Sequence, residues 1–418
     1  MTLDPRAQLP PGPRHAGIGA GFVRDCAIAG GAEERLANRL ALIAEEVLGA
    51  APANAGLVGL ALADRRHSMR LSVDFTASDL DLAGLDQSRR GDIEEGEEIG
   101  LYLAARLADR LTTEPLDRGG LRLSFDVGRA YPAMTPDAAP AGLGPISGPA
   151  ADPDDATLAL LVQWAEAAEL GGPAFRTAPR VLDQRAQGDL FARVALDARR
   201  RPVGGLFWHP FGRRLMELAG PALLLPEGEA RAAVAGALLD AALAGLVRKK
   251  IQGLVVLEPS PDMPRAGFET VGHLPSADGA TWPVLFRALE EDPGGISWVP
   301  AVLKDWVTAT TRRLALGRDI EEPARPKRAT GAAMAAETDR ARGRVTLRSL
   351  IAAGDAAEVA AGNVALFRDQ GFSEIRALLD LGKPDQAAFA EGLVQAGLAP
   401  AALIPDAAGD LLLLAAAE

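Results

Sequence analysis

The stretch EIGLYLAARLADRLTTEPLDRGGLRLSFDV, residues 98–127, carries two periodicities that can be counted. Ile99, Leu103, Leu107 and Leu111 recur every four residues, which predicts one apolar helical face. After Asp117, Arg118, Gly119 and Gly120 the period becomes two. Leu121, Leu123, Phe125 and Val127 then share one side of a strand, with Arg122, Ser124 and Asp126 on the other. A helix docked on a sheet follows, and the segments on either side are read outward from it.

Upstream, Leu36, Leu40, Ile43 and Val47 form the stripe of a helix over 33–48, with Glu33 and Glu34 at the positive end of its dipole. Strands are predicted over 57–63 and 68–74, joined at hairpin spacing, before a long polar loop over 77–96. Residues 1–30, with Pro5, Pro10, Pro11 and Pro13, read as an extended arm.

Downstream, 131–153 holds six prolines among Ala and Gly, as a linker does. A helix over 155–168 uses Leu158, Leu161, Val162 and Ala165. Strands over 190–196 and 203–207 form a pair, and a small-residue helix over 229–250 carries Val234, Leu238, Ala242 and Leu246. The strand over 253–258 is apolar on both sides, which suits the centre of a sheet. A helix with Trp298 and Trp306 leads into a charged, Ala-rich connector up to Arg344. The last segment alternates: helix 356–370, strand 375–381, helix 386–396, strand 411–414.

The chain has 418 residues, 48% hydrophobic and 24% charged, enough apolar material for several cores. The net charge of −12 argues against a general nucleic-acid binder. Cys26 is the only cysteine, which excludes a disulfide framework or a cysteine-rich metal site and suits a reducing, cytoplasmic setting. No apolar run has membrane-spanning length, so no membrane is expected.

The order helix, hairpin, long loop, helix, strand over roughly 30–130 resembles the ATPase domain of anti-sigma factors and histidine kinases, the RsbW-like branch of the GHKL superfamily. That resemblance implies a nucleotide pocket. Glu45 or Glu46 matches the family's acid, Asp74 its adenine-reading Asp, and Gly100-Leu101 its phosphate-side turn. The Asn that would hold Mg²⁺ falls on Gly49 or Ala50, and Thr76 and Ser78 replace glycines.

The succession over about 155–290, closing on "AGFETVGHL", resembles the acetyl-CoA-binding N-acetyltransferase (GNAT) fold. The last segment resembles its second half. In that family Q/R-x-x-G-x-G/A before the long helix holds a pyrophosphate on backbone N–H groups. The corresponding stretch, Leu225 to Arg231, keeps Gly228 and Arg231 but adds Pro226, Glu227 and Glu229. Glu258, at the end of the central strand, stands where such an enzyme places a base.

The fold class expected is therefore an α/β (α+β) multidomain chain. Its parts are an arm 1–30, a GHKL-like sandwich 31–130, a linker 131–153, a GNAT-like unit 154–295, a helix and charged connector 296–345 and a partial GNAT-like unit 346–418. His15, His67, His209 and His273 lack metal-ligand spacing, so no metal is expected. With the phosphate-holding motifs of both families altered, the expected function is non-catalytic: a regulatory or assembly protein that binds a protein partner, with a homodimer compatible. No cofactor is expected under that reading. The alternatives are an acetyl-CoA-dependent N-acyltransferase regulated by the first domain, and an ATP-binding sensor or anti-sigma-type serine kinase.

Overall fold

The computed structural model describes residues 4–51, 55–76, 82–91, 98–117, 120–132, 137–170, 177–247, 249–275, 279–328, 331–340 and 342–416. Where composition predicts an extended arm, the chain forms β1 (Arg6–Leu9) and α1 (Pro13–Ala29). Pro13 stands in the first turn of α1, where a missing N–H leaves no bond unmade and the fixed φ suits a helix. Gly19 permits the close approach of α1 to α2 (Glu34–Gly49), because a Cβ there would lie 2.2 Å from the Leu48 side chain.

The hairpin of β2 (Val58–Asp64) and β3 (Ser68–Phe75) falls within a residue of the periodicity. With β4 (Arg110–Pro115) and β5 (Leu121–Gly128) it completes an antiparallel sheet of order β1-β2-β3-β5-β4. Leu36, Leu40, Ile43 and Val47 of α2 bury against Leu60, Leu71, Val73 and Phe125, as patterned. The buried stripe of α3 (Glu98–Leu107) differs from expectation. Leu101, Ala104 and Ala105 face the core, while Ile99 and Leu103 are 39% and 38% exposed and Leu111 belongs to β4. The small side chains let α3 lie against α2, where Arg39 Nε donates to Leu107 O at the end of α3.

Two helices, α4 (Asp155–Ala167) and α5 (Ala178–Gln187), open the remainder. Asp154 caps α4 by accepting from Thr157 N at 2.7 Å. Residues 146 and 151 of the proline-rich stretch bridge to Asp197 and Val194, and Ala150 is buried. Then come β6 (Phe191–Leu196), β7 (Pro202–Pro210), β8 (Leu215–Leu223), α6 (Glu229–Leu246), β9 (Gly253–Val256), β10 (Glu269–Pro275) and β11 (Thr281–Ala288). This is the order of hairpin, strand, long helix and strands that the GNAT resemblance implies. The span expected as a helix and connector contains β12 (Gly295–Trp298), α7 (Lys304–Arg313), β13 (Arg318–Glu321) and β14 (Ala333–Asp339). Three alanines and a glutamate in β14 favour no strand locally. Full pairing to β15 (Arg344–Ile351) decides its state. The chain ends with α8 (Ala356–Asp369), β16 (Glu374–Asp380), α9 (Pro384–Ala387), α10 (Ala390–Gln395), β17 (Leu398–Ile404) and β18 (Leu411–Ala416).

These strands make one sheet of 11, ordered β14-β15-β16-β18-β17-β10-β11-β9-β8-β7-β6. The order is palindromic about the β10–β17 seam. Outward from it, β10, β11, β9, β8 and β7 correspond to β17, β18, β16, β15 and β14, and a helix follows β8 and β15 alike. We call the halves unit 1 and unit 2. At the seam Gly272 pairs with Ala402, and a Cβ on Gly272 would stand 2.0 Å from Ala401 O, so the strands meet only over glycine.

The sheet is curled. Glu258, just past β9, pairs with Arg344 of β15 and Arg376 of β16. A flat sheet would set β9 and β16 roughly 24 Å apart at the usual strand spacing. Val255, Leu274, Phe286, Leu378, Ile404 and Leu413 line the inner face, whereas α6 and α8 cover the outer one.

Candidate functional site

A cavity of about 1600 Å³ lies where the N-terminal sheet meets the curled one. Its first wall is the sheet face turned away from α1–α3. Alternation puts Asp126 and Thr112 there, with Asp126 held by its cross-strand neighbour Arg70 at 2.8 and 2.7 Å. The second wall is the β7–β8 turn, His209 to Arg213, and the third is unit 2.

In unit 2 the parallel pair β15–β16 is bonded from Arg344–Glu374 to Arg348–Leu378. Beyond that point β15 stays with β14 and β16 with β18, so the strands diverge into a V. Ser349, Leu350, Ile351, Ala352, Leu378 and Asp380 line the cavity at this V. The N-terminal domain closes over it: Thr113 Oγ1 of β4 donates to Leu350 O at 2.9 Å. A second tie lies beside α8. Buried Asp86 accepts from Met334 N at 2.9 Å and from Asn363 Nδ2 at 2.8 Å, and Arg89 pairs with Asp355. Burial pushes the Asp86 carboxyl up, against hydrogen bonds from Ser88, Met334 and Asn363.

Unit 1 has the same V and fills it. β8 and β9 pair only from Leu215–Gly253 to Glu217–Val255. The chain after β9 then folds into the gap: Ser260 Oγ donates to Pro221 O at 3.1 Å, and Met263 is 3% exposed within the α6 core. Arg231, in the first turn of α6, holds Asp262 with two bonds of 2.7 and 2.6 Å and donates to Leu225 O.

The sequence-predicted residues distribute as follows. Gly228 precedes α6 at φ 142, and Arg231 is engaged by Asp262, so this pair does not present a free phosphate ligand. Glu258 is no free base. Burial works against its charge, but the guanidiniums of Arg376, Arg344 and Arg342 outweigh it and hold the carboxyl below its ordinary range. Two of these arginines come from the connector read as solvated. Asp74 is bonded to Arg122 at 2.6 and 2.7 Å, on the sheet face opposite α3. Gly100 and Leu101 lie on the helical side, so the three do not line one pocket. Glu45 is exposed, whereas Glu46 faces Gly100 and is pushed up by burial and by Glu45. Ser78 lies outside the described residues. Cys26 is half-buried, its thiol raised by burial.

Among the histidines, His209 and His67 both line the cavity. His209 Nε2 stands 3.6 Å from Glu217, whose carboxyl is raised by burial. His67 Nε2 lies 2.8 Å from Asp189, which it holds below the ordinary range. No group of three or more metal-ligating side chains occurs among the described residues, and no helix there is long and apolar enough to cross a membrane.

Sequence reasoning missed one signal. Ile351-Ala-Ala-Gly354-Asp-Ala356 precedes α8 and fits the Gly and Ala positions of Q/R-x-x-G-x-G/A, with Ile at the first. It was obscured because β14 was read as connector and the residues of β15 beyond it were assigned no element, which left α8 without a strand before it.

No family model matches the chain, and no curated protein matches it. Solved structures do. AAC(6')-Ib in complex with ribostamycin and coenzyme A is 16% identical, covering 34% of this chain and 93% of that one at a TM-score of 0.27. The GNAT family N-acetyltransferase YhbS from Escherichia coli, in complex with CoA, is 18% identical over 37% and 87%, at 0.27. A GCN5-related N-acetyltransferase from Kribbella flavida is 17% identical over 34% and 96%, at 0.26. Each likeness concerns about a third of the chain.

Proposed function

We propose that the chain is an N-acyltransferase-type protein whose ligand site is the V of unit 2, with unit 1 a sealed structural counterpart and the N-terminal domain a cap. The observation that carries this reading is the cavity entering the V between Ser349–Ala352 and Leu378–Asp380, where unit 1 is filled by its own chain. The residues present fit the acyl arm of an acyl-CoA, because diverging parallel strands leave backbone groups of β15 without a strand partner. In the turn before α8 the Gly354 N–H donates to Arg328 O and the Ala356 N–H to Ala353 O, so that turn offers neither of them to a pyrophosphate. When bound, acetyl-CoA supplies an activated acyl group. The chain itself supplies a wall on three sides and His209, an imidazole on the same cavity in the place of a general base.

The GHKL-like reading of the first domain enters here as a cap without nucleotide chemistry, supported by the separation of Asp74 from Gly100. The regulatory reading, with a protein partner in place of a small ligand, is favoured by the sealed V of unit 1. One experiment separates the two. Acetyl-CoA should raise the melting temperature saturably, and Ser349→Trp, which fills the V of unit 2, should abolish that rise while circular dichroism stays native. Absence of any rise in the parent chain sinks the acyltransferase reading and leaves the regulatory one.

A further inference from the structure

A second cavity, of about 410 Å³, lies on the outer face of unit 1 between the carboxyl end of α6 and the edge strand β6. Its floor is Phe191 stacked on its cross-strand neighbour Trp208, centroids 5.8 Å apart and planes within 17°. Two cations lie on these rings. Lys249 Nζ is 4.3 Å from the Phe191 centroid, and the Arg193 guanidinium is 5.5 Å from that of Trp208. Gly245 makes room for the latter, since a Cβ there would stand 2.7 Å from Arg193 Nη2.

Charge at the site does not cancel. Arg185 takes Asp155 at 2.7 Å and Asp152 at 3.3 Å, and Arg193, whose Nη1 donates to Ala192 O at 3.0 Å, pairs among the described carboxylates only with the shared Asp152, at 3.5 Å. Among the described residues no carboxylate forms an ion pair with Lys249. Three cations therefore face two carboxylates. Trp208 is 1% exposed, and its Nε1–H, out of reach of water, has no acceptor among the described residues.

We propose that this cavity binds a compact oxyanion, a carboxylate or phosphate group, through Lys249 and Arg193, the two cations held over the Phe191–Trp208 rings, with the Trp208 indole as the reporter beneath them. The inference is independent of the acyltransferase reading, because the cavity lies away from both V-shaped openings.

The test is indole ¹H–¹⁵N NMR of the full chain. Its five tryptophans give five indole signals, and that of Trp208 is identified by its loss in Trp208→Phe or, if that chain does not fold, by its displacement in Phe191→Leu. Titration with inorganic phosphate, and separately with acetate, should move the Trp208 signal saturably while chloride at equal ionic strength does not. Movement with phosphate alone assigns a phosphate group, and movement with both assigns a carboxylate-sized site. Lys249→Ala, at an exposed position, should weaken binding by about tenfold, the scale of one charge-assisted hydrogen bond. A Trp208 signal that stays still, or that chloride moves equally, or that responds undiminished in Lys249→Ala, overturns the proposal.

Discussion

Past Glu217, β8 leaves β9, and the chain that follows β9 turns back into the gap with Ser260, Asp262 and Met263. Past Arg348, β15 leaves β16, and the gap opens on a cavity walled by another domain. The two places have the same strand order and the same helix after the diverging strand. They differ in what the next residues do: unit 2 places the short helices α9 and α10 after its central strand, where unit 1 has an irregular segment able to fold inward. Topology thus supplies the opening, and a few side chains decide whether it is a site or part of a core.

The sharpest way to break this comparison is at the contact that holds the two openings in one curled sheet. Arg376 of unit 2 is buried and meets Glu258 of unit 1 at 2.9 Å and Glu374 at 3.2 Å. Removing it takes one buried counter-charge from Glu258 and Glu374, which keep Arg344 and, for Glu258, Arg342, a loss of about 1–3 kcal/mol. Arg376→Ala should therefore lower the urea midpoint substantially and separate the unfolding of the units into two transitions. A single transition shifted by less than about 1 kcal/mol would mean that the seam at Gly272 holds the sheet without the ion cluster.

Legibility followed the same division. Elements with a strong period, α2, β3, β5 and α8, were readable to within a residue or two. Those held by long-range pairing were not. β14 is Ala-rich and paired along its length, and β1 and α1 hide behind a composition of Pro and Gly suited equally to an arm. In α3 the four-residue recurrence of leucine pointed to the wrong face, because the alanines that permit close packing on α2 carry little hydropathy. The site suffered most. Glu258 was singled out for its place at a strand end, but the arginines that neutralise it lie 84 or more residues away in sequence.

A smaller effect sharpens the comparison at the filled opening. Met263 packs among the α6 core residues, and Met263→Ala should cost about 2–4 kcal/mol through lost burial and the cavity left behind. The Arg231–Asp262 and Ser260–Pro221 bonds do not involve its side chain, so the segment should stay in place. Denaturant titration gives the cost, and acetyl-CoA should raise the melting temperature of this variant no more than that of the parent. A larger rise would show that the V of unit 1 is a ligand site held shut by one side chain.

The smallest effect is one of sign. Glu258 and Glu217 both lie near the base of the unit 1 opening, yet folding moves their carboxyls in opposite directions from the ordinary value of 4.5. Glu258 is depressed, since its arginines outweigh burial. Its contribution is complete above the unfolded value and is lost as pH falls through the folded one. Glu217 is raised, chiefly by burial and further by Glu258, so keeping it charged at neutral pH costs stability, and the cost fades as acid protonates it. Glu258→Gln should therefore weaken the fold at neutral pH and flatten its acid limb. Glu217→Gln should strengthen the fold at neutral pH, with the gain vanishing on the way into acid. Urea midpoints measured from neutral pH down through the carboxylate range test both curves. If the two substitutions move the neutral midpoint in the same direction, the arginines do not govern Glu258, and the two carboxyls share one environment at the base of the filled V.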